Sequence, residues 1–203
     1  MYLYSCLVTS KAGNKRRERC FPDMKKDLLL VIDMQNVYAG GGAWCCPKAE
    51  EAAGKIKKLI NEKASGIDVI FTRFIAGDEP EGTWKDYNRE NAEINNDPYA
   101  NGMMDVFSEE LKKYPLYTKS VYSSLAIPEV KEAAKNAGKV LVAGVVAECC
   151  VLSTVMALID EGAYVLYLKD CAAGLDKDME QAVEKVLKGL EPLQVKVIGS
   201  EDY

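Results

Sequence analysis

Apolar residues come in short unbroken runs along this chain. Residues 28–32 read LLLVI, 140–146 read VLVAGVV and 163–168 read AYVLYL. Runs of this length without a polar alternate predict strands buried on both faces. Strands are expected at 28–32, 68–72, 116–119, 140–146, 163–169 and 195–198. Between them the apolar spacing turns helical. Over 47–64, Ala49, Ala52, Ala53, Ile56, Leu59 and Ile60 share one face, and Pro47 suits a first turn. Further helices are expected over 105–114, over 127–136 closed by Gly138, over 150–161 closed by Gly162, and over 177–190. Residues 73–104 fit neither period. They are rich in Gly, Asn, Asp and Pro, and a long loop of this kind in a compact domain is often a functional one.

Strands alternating with helices define an α/β domain. The expected architecture is a three-layer, doubly wound, mostly parallel sheet with helices on both faces. That domain occupies residues 24–203. Residues 1–23 lack periodicity, carry a charge cluster from Lys15 to Arg19, and are expected to be a poorly ordered extension.

Composition narrows the function. The net charge is −5, which gives no attraction to nucleic acid or to an anionic membrane. No apolar run reaches the roughly 18 residues of a membrane span. The basic cluster follows the mildly apolar N-terminal stretch, the reverse of a signal peptide, so a cytoplasmic protein is expected. Seven cysteines at irregular spacing, including the adjacent pairs Cys45-Cys46 and Cys149-Cys150, contain no CxxC and no zinc-ribbon pattern. They read as reduced thiols. The chain has no histidine, which excludes Ser-His-Asp and Cys-His nucleophile pairs and any histidine-ligated metal. A general base must then be Asp, Glu, Lys, Tyr or a second thiol.

Ligands of open parallel sheets bind outside the carboxyl ends of the strands. At that edge the expected strands place Asp33, Arg73, Lys119, the stretch from Val146 to Cys150, and Asp170-Cys171. Taken singly, Asp33 reads as a strand-end cap, Lys119 as a surface lysine and Cys150 as a small core residue. Taken together, a carboxylate, an ammonium and a thiol make a working nucleophile. Asp33 could take the thiol proton, Lys119 could offset the negative charge, and a helix N-terminus could stabilise a thiolate. The residues alone do not choose between Cys149 and Cys150.

Three segments carry a resemblance. LLLVIDMQNVYAGGGA, YTKSVYSSL and VLVAGVVAECCVLSTVMAL together resemble the isochorismatase-like cysteine hydrolase superfamily, which includes nicotinamidases and N-carbamoylsarcosine amidase. The resemblance spans residues 24–203 and implies a Rossmann-like fold. It implies an Asp-Lys-Cys triad of Asp33, Lys119 and Cys150, with Cys149 on the variable position before the nucleophile. It also implies a non-proline cis peptide at Val145–Val146, aiming the N–H groups of Val146 and Cys150 at an oxyanion. Glu148 stands where Asp or Glu is usual, and Ala147 where Thr is common.

Nicotinamidases of this superfamily hold a metal after the second strand. This chain has FTRFIAGDEPEGTW there and no histidine, which disfavours a metal-dependent nicotinamidase. Isochorismatases proper need no cysteine, so the presence of Cys150 favours the amidase branch. The expected activity is hydrolysis of a C–N bond in a small amide or carbamoyl compound through a thioester. It calls for neither metal nor cofactor. Arg73 is a candidate clamp for a substrate carboxylate, and Trp84 a candidate pocket wall with Tyr87 and Tyr99. The resemblance further implies a homo-oligomer. The alternatives are a vinyl-ether hydrolase using Asp33 and Lys119, and a catalytically silent binding protein of the same fold.

Overall fold

The computed structural model describes residues 25–203, so the reading of residues 1–23 lies outside the described residues. The LLLVI run forms β1 (Asp27–Ile32), in which every residue after the first is buried. β2 (Ile67–Phe74), β3 (Leu116–Lys119), β4 (Val140–Val145), β5 (Val165–Ala173) and β6 (Val195–Ile198) complete one sheet. Its order is β3-β2-β1-β4-β5-β6, and every neighbouring pair is parallel. The helices are α1 (Ala49–Lys63), α2 (Trp84–Glu90), α3 (Ala92–Asn95), α4 (Pro128–Asn136), α5 (Leu152–Asp160) and α6 (Lys177–Lys188).

Successive side chains of a strand point to opposite faces, so β1 feeds two cores. Leu29 and Val31 pack with Ala52, Ile56, Leu59 and Ile60 of α1. Leu28, Leu30 and Ile32 pack on the other face with Val130 of α4, Val155 and Leu158 of α5, and Val183 and Leu187 of α6. This is the three-layer arrangement, with helices on both faces. Among the described residues no helix is long and apolar enough to cross a membrane.

Three elements differ from expectation. β5 runs on to Ala173 instead of ending at residue 169. Val142 pairs with Tyr167 and Gly144 with Ala172, so one residue of β4 faces four of β5. That bulge carries Lys169 and Asp170, which break the apolar pattern without ending the strand. Asp170 and Cys171 therefore lie within β5, not after it.

The 105–114 helix is not formed as such. Only Asp105–Phe107 is a 3-10 turn, and the rest is held by separate turns such as Leu111 N–H to Phe107 O at 2.9 Å and Tyr114 N–H to Glu110 O at 2.9 Å. Tertiary anchors override local propensity there. Phe107 packs edge-on against Phe71 at 5.4 Å, and buried Glu110 faces Lys57 at 3.6 Å.

The 73–104 stretch, expected to be irregular, contains α2 and α3. Trp84 and Tyr87, one helical turn apart on α2, both rest on Phe74, with ring centroids 6.0 and 6.2 Å away. An isolated seven-residue helix is marginal in water, so this docking supplies what local propensity does not.

Candidate active site

The strand order reverses direction between β1 and β4. Such a switch point opens a crevice at the carboxyl ends of the strands. Ile32 pairs with Gly144 there. Gly144 has φ +119°, and a Cβ on it would lie 2.0 Å from Ile32 O and 2.6 Å from Ile32 N. Only glycine lets the two backbones come this close in that conformation. Asp33 follows at once on β1, and the Val145–Val146 bond, which is cis, follows on β4.

Asp33 adopts φ +52°, a left-handed conformation that Asp tolerates better than most residues. Its carboxylate is fully buried. Oδ1 accepts from Thr72 Oγ1 at 2.9 Å, and Oδ2 accepts from Lys119 Nζ at 2.5 Å. The Lys119 ammonium also donates to Val121 O at 3.1 Å and lies 3.4 Å from Cys150 Sγ. All three of its N–H bonds are thereby directed. Its open side lies 5.7 Å from the centroid of the Phe74 ring. Asp33, Lys119 and Cys150 are 0%, 4% and 3% exposed. The structure thus brings together the three residues that the sequence placed at one edge.

The two adjacent thiols part company. Cys150 packs among the residues under α5, and Cys149 against the cluster on the α1 face. Cys150 is the one beside Asp33 and Lys119. It lies in a π-helical turn, Ala147–Val151, that precedes α5, and not in the α-helix itself. Val151 N–H reaches back to Val146 O at 3.2 Å, and Cys149 N–H reaches the same oxygen at 3.0 Å, stepping over the N–H of Cys150. The Val146 N–H donates to no backbone acceptor among the described residues.

The expectation of a dipole-stabilised thiolate needs correction. Burial pushes the Cys150 thiol up, and the neighbouring Asp33 charge pushes it further; Lys119 pulls the other way without prevailing. Desolvation of a charged sulfur outweighs one cation when an anion is equally near. These surroundings favour the neutral thiol, whose proton has an adjacent carboxylate to go to.

Aromatic rings cluster around Phe74, beside Lys119. Trp84 meets Tyr87 at 5.2 Å and Tyr122 at 5.0 Å between ring centroids. Burial raises the Tyr87 phenol to about 12, and the nearby Tyr122, Cys150 and Cys149 groups add to the shift. Tyr38 and Tyr122 are raised as well, again first by burial and with Cys150 contributing. Three phenols near the thiol therefore stay protonated at neutral pH and can act as donors.

Arg73 is not brought into this group. Thr72 and Phe74 face the site, and Arg73, one step out of phase, donates from Nε to Thr118 Oγ1 at 3.0 Å. Tyr99 is 75% exposed and lies outside the hydrogen-bond contacts of the triad. Sequence reasoning missed the polar residues behind the triad. Gln35 donates from Nε2 to Phe74 O at 3.0 Å and to Asn101 O at 2.9 Å, and accepts from Phe74 N–H at 2.8 Å, tying β1, β2 and the loop together. Thr72, Ser124 and Thr154 are fully buried beside the triad. Their only sequence signal is a hydroxyl inside or beside an apolar run.

The chain belongs to the isochorismatase family: the family model described as Isochorismatase domain matches residues 27–202. Members of this family are hydrolases, among them cysteine hydrolases and nicotinamidases. A comparison with curated proteins gave no match. Among solved structures, a cysteine hydrolase from Pseudomonas syringae pv. phaseolicola is similar, with a TM-score of 0.74 and 19% identity, over 87% of this chain and 90% of that one. A pyrazinamidase of Pyrococcus horikoshii in complex with zinc gives 0.69 and 22%, over 86% and 99%. A ribonuclease from Caenorhabditis elegans gives 0.65 and 19%, over 87% and 78%. Neighbours described so differently share the fold and do not fix the reaction.

The zinc of the Pyrococcus horikoshii protein has no evident counterpart in this donor set. The chain lacks histidine, and among the described residues no three Cys, Asp or Glu side chains converge to hold a metal.

Proposed function

We propose that the protein hydrolyses a C–N bond in a small amide or carbamoyl compound through a thioester on Cys150. One observation carries this reading: a single buried ammonium, Lys119 Nζ, contacts both the Asp33 carboxylate at 2.5 Å and the Cys150 sulfur at 3.4 Å. A base, a nucleophile and a counter-charge in such contact supply the parts of nucleophilic catalysis without histidine.

The steps follow from the protonation state. Cys150 Sγ attacks the carbonyl carbon as its proton passes to Asp33, so free thiolate need not accumulate. Negative charge moves to the carbonyl oxygen, where the N–H groups of Val146 and Cys150 are the candidate donors. Asp33 then gives its proton to the departing nitrogen. The C–N bond breaks, and ammonia or an amine leaves a thioester. Water attacks that thioester, loses a proton to Asp33, and the acid departs as sulfur recovers the proton. Lys119 keeps its charge throughout and offsets that of Asp33. Trp84 and its aromatic neighbours wall the substrate side.

The vinyl-ether alternative leaves Cys150 idle, and nothing in the contact of Lys119 with that sulfur favours it. Ammonia release from a panel of amides, ureas and carbamoyl amino acids tests the proposal. Turnover by the native protein is expected, with near-complete loss in Cys150→Ser and Asp33→Asn and a mild effect of Cys149→Ala. Full activity in Cys150→Ser would sink the thioester route.

A further inference from the structure

Behind the triad lies a closed set of hydroxyl contacts whose donor directions can be worked out. Thr72 Oγ1 donates its one proton to Asp33 Oδ1 at 2.9 Å. The 3.3 Å contact between Thr72 Oγ1 and Ser124 Oγ must then be donated by Ser124. The backbone N–H of the same Ser124 donates to Thr154 Oγ1 at 2.9 Å, and Thr154 Oγ1 donates to Cys150 O at 2.7 Å. Two arms leave one residue. The hydroxyl arm ends on the base, and the backbone arm ends on the peptide of the nucleophile. Ser124 itself opens the 3-10 turn Ser124–Ala126, five residues after Lys119. It therefore joins the three segments that carry the triad.

We propose that Ser124, through Thr72 and Thr154, is the positioning residue of this site: it holds the Asp33 carboxylate and the Cys150 peptide in one fixed relation. This rests on the reading of Asp33 as base and Cys150 as nucleophile. All three hydroxyl residues are fully buried, and each makes its contacts inside the set. A buried polar chain of this kind orients its members only when it is complete, because each bond polarises the next. Hydrogen bonds to a charged group are also the stronger ones, so the arm that ends on Asp33 has more to lose.

The two arms separate cleanly by substitution. Ser124→Ala removes the hydroxyl arm and keeps the backbone N–H. Thr72→Val breaks the Asp33 end, and Thr154→Val the Cys150 end. Ser124→Thr and Thr72→Ser keep the hydroxyls.

The test is the rate of Cys150 alkylation by iodoacetamide at pH 7 and at pH 10, followed on the peptide that carries Cys150 and with Cys149→Ala as background. At pH 7 the thiol must pass its proton to Asp33; at pH 10 solvent hydroxide competes for it. Ser124→Ala and Thr72→Val should slow the pH 7 reaction about ten-fold and leave the pH 10 rate nearly unchanged. The hydroxyl-keeping variants should restore the pH 7 rate. Equal slowing at both pH values would mean general damage and would overturn the proposal. So would native rates in Ser124→Ala and Thr72→Val while Asp33→Asn is slow at pH 7. If Asp33→Asn itself reacts at the native pH 7 rate, the base assignment fails, and the positioning role falls with it.

Discussion

The Asp33–Lys119 pair makes a quantitative demand on stability as well as on chemistry. Both side chains have zero exposure, and Nζ lies 2.5 Å from Oδ2. Replacing Lys119 by Met keeps the stem and removes the charge. Asp33 is then left buried with Thr72 as its one remaining side-chain donor. Breaking a buried pair in this way costs about 3–5 kcal/mol, because the remaining charge has lost its water and gained nothing. Asp33→Asn makes the mirror-image change and leaves Lys119 unneutralised. Asn accepts the left-handed backbone at this position, so no new strain confuses the result. The double variant leaves no orphaned charge, and replacing both partners of a buried pair is often close to neutral. Urea unfolding at pH 7 should therefore show each single variant losing about 3 kcal/mol or more, and the double variant losing clearly less than the sum. A coupling energy under about 1 kcal/mol would refute the argument, since groups in contact in one network couple by 0.5–3 kcal/mol and this pair should lie at the top. All three variants should be inactive, which separates stability from turnover.

Gly144→Ala should cost more than about 4 kcal/mol, at the extreme of single substitutions, because its Cβ would meet Ile32 backbone atoms that cannot give way; a melting temperature within a few degrees of native would contradict this. Because burial and Asp33 raise the Cys150 thiol above its ordinary 9.0, alkylation by iodoacetamide should still be accelerating at pH 9, and a plateau near neutrality would show a resting thiolate instead. Lys119→Met removes the one charge that lowers that thiol, so its rise with pH should move further to the alkaline side. Exhaustive EDTA treatment should leave ammonia release intact, given a chain without histidine; activity lost on chelation and restored by zinc would require a different site chemistry.

The sheet was legible because β1 and β4 are buried on both faces and so read as unbroken apolar runs. Asp33 was legible for a related reason, as a charge set at the end of such a run, and Lys119 as a charge closing the short expected strand 116–119. Arg73 carries the same signal, but strand alternation sets it on the side of Thr118 and gives Thr72 the place beside Asp33. Sequence could not tell Cys149 from Cys150 without the resemblance, because the π-helical turn that sends them to opposite faces is not a pattern of residue types. α2 was hidden because its stability comes from Phe74, ten residues before it begins. Thr72, Ser124 and Thr154 were hidden because threonine and serine are ordinary in strands and turns. Their role exists only once the chain brings them together.

The pairing that creates the site spans 86 residues between Asp33 and Lys119 and a further 31 to Cys150. β4 must also insert beside β1 after two intervening strands have been made. Contacts so distant along the chain form late, since loop closure must precede any gain from them. Until β4 has docked, Cys150 has neither its base nor its counter-charge. A growing or partly unfolded chain therefore carries only ordinary cysteines, and the joined carboxylate, ammonium and thiol exist only once folding is complete.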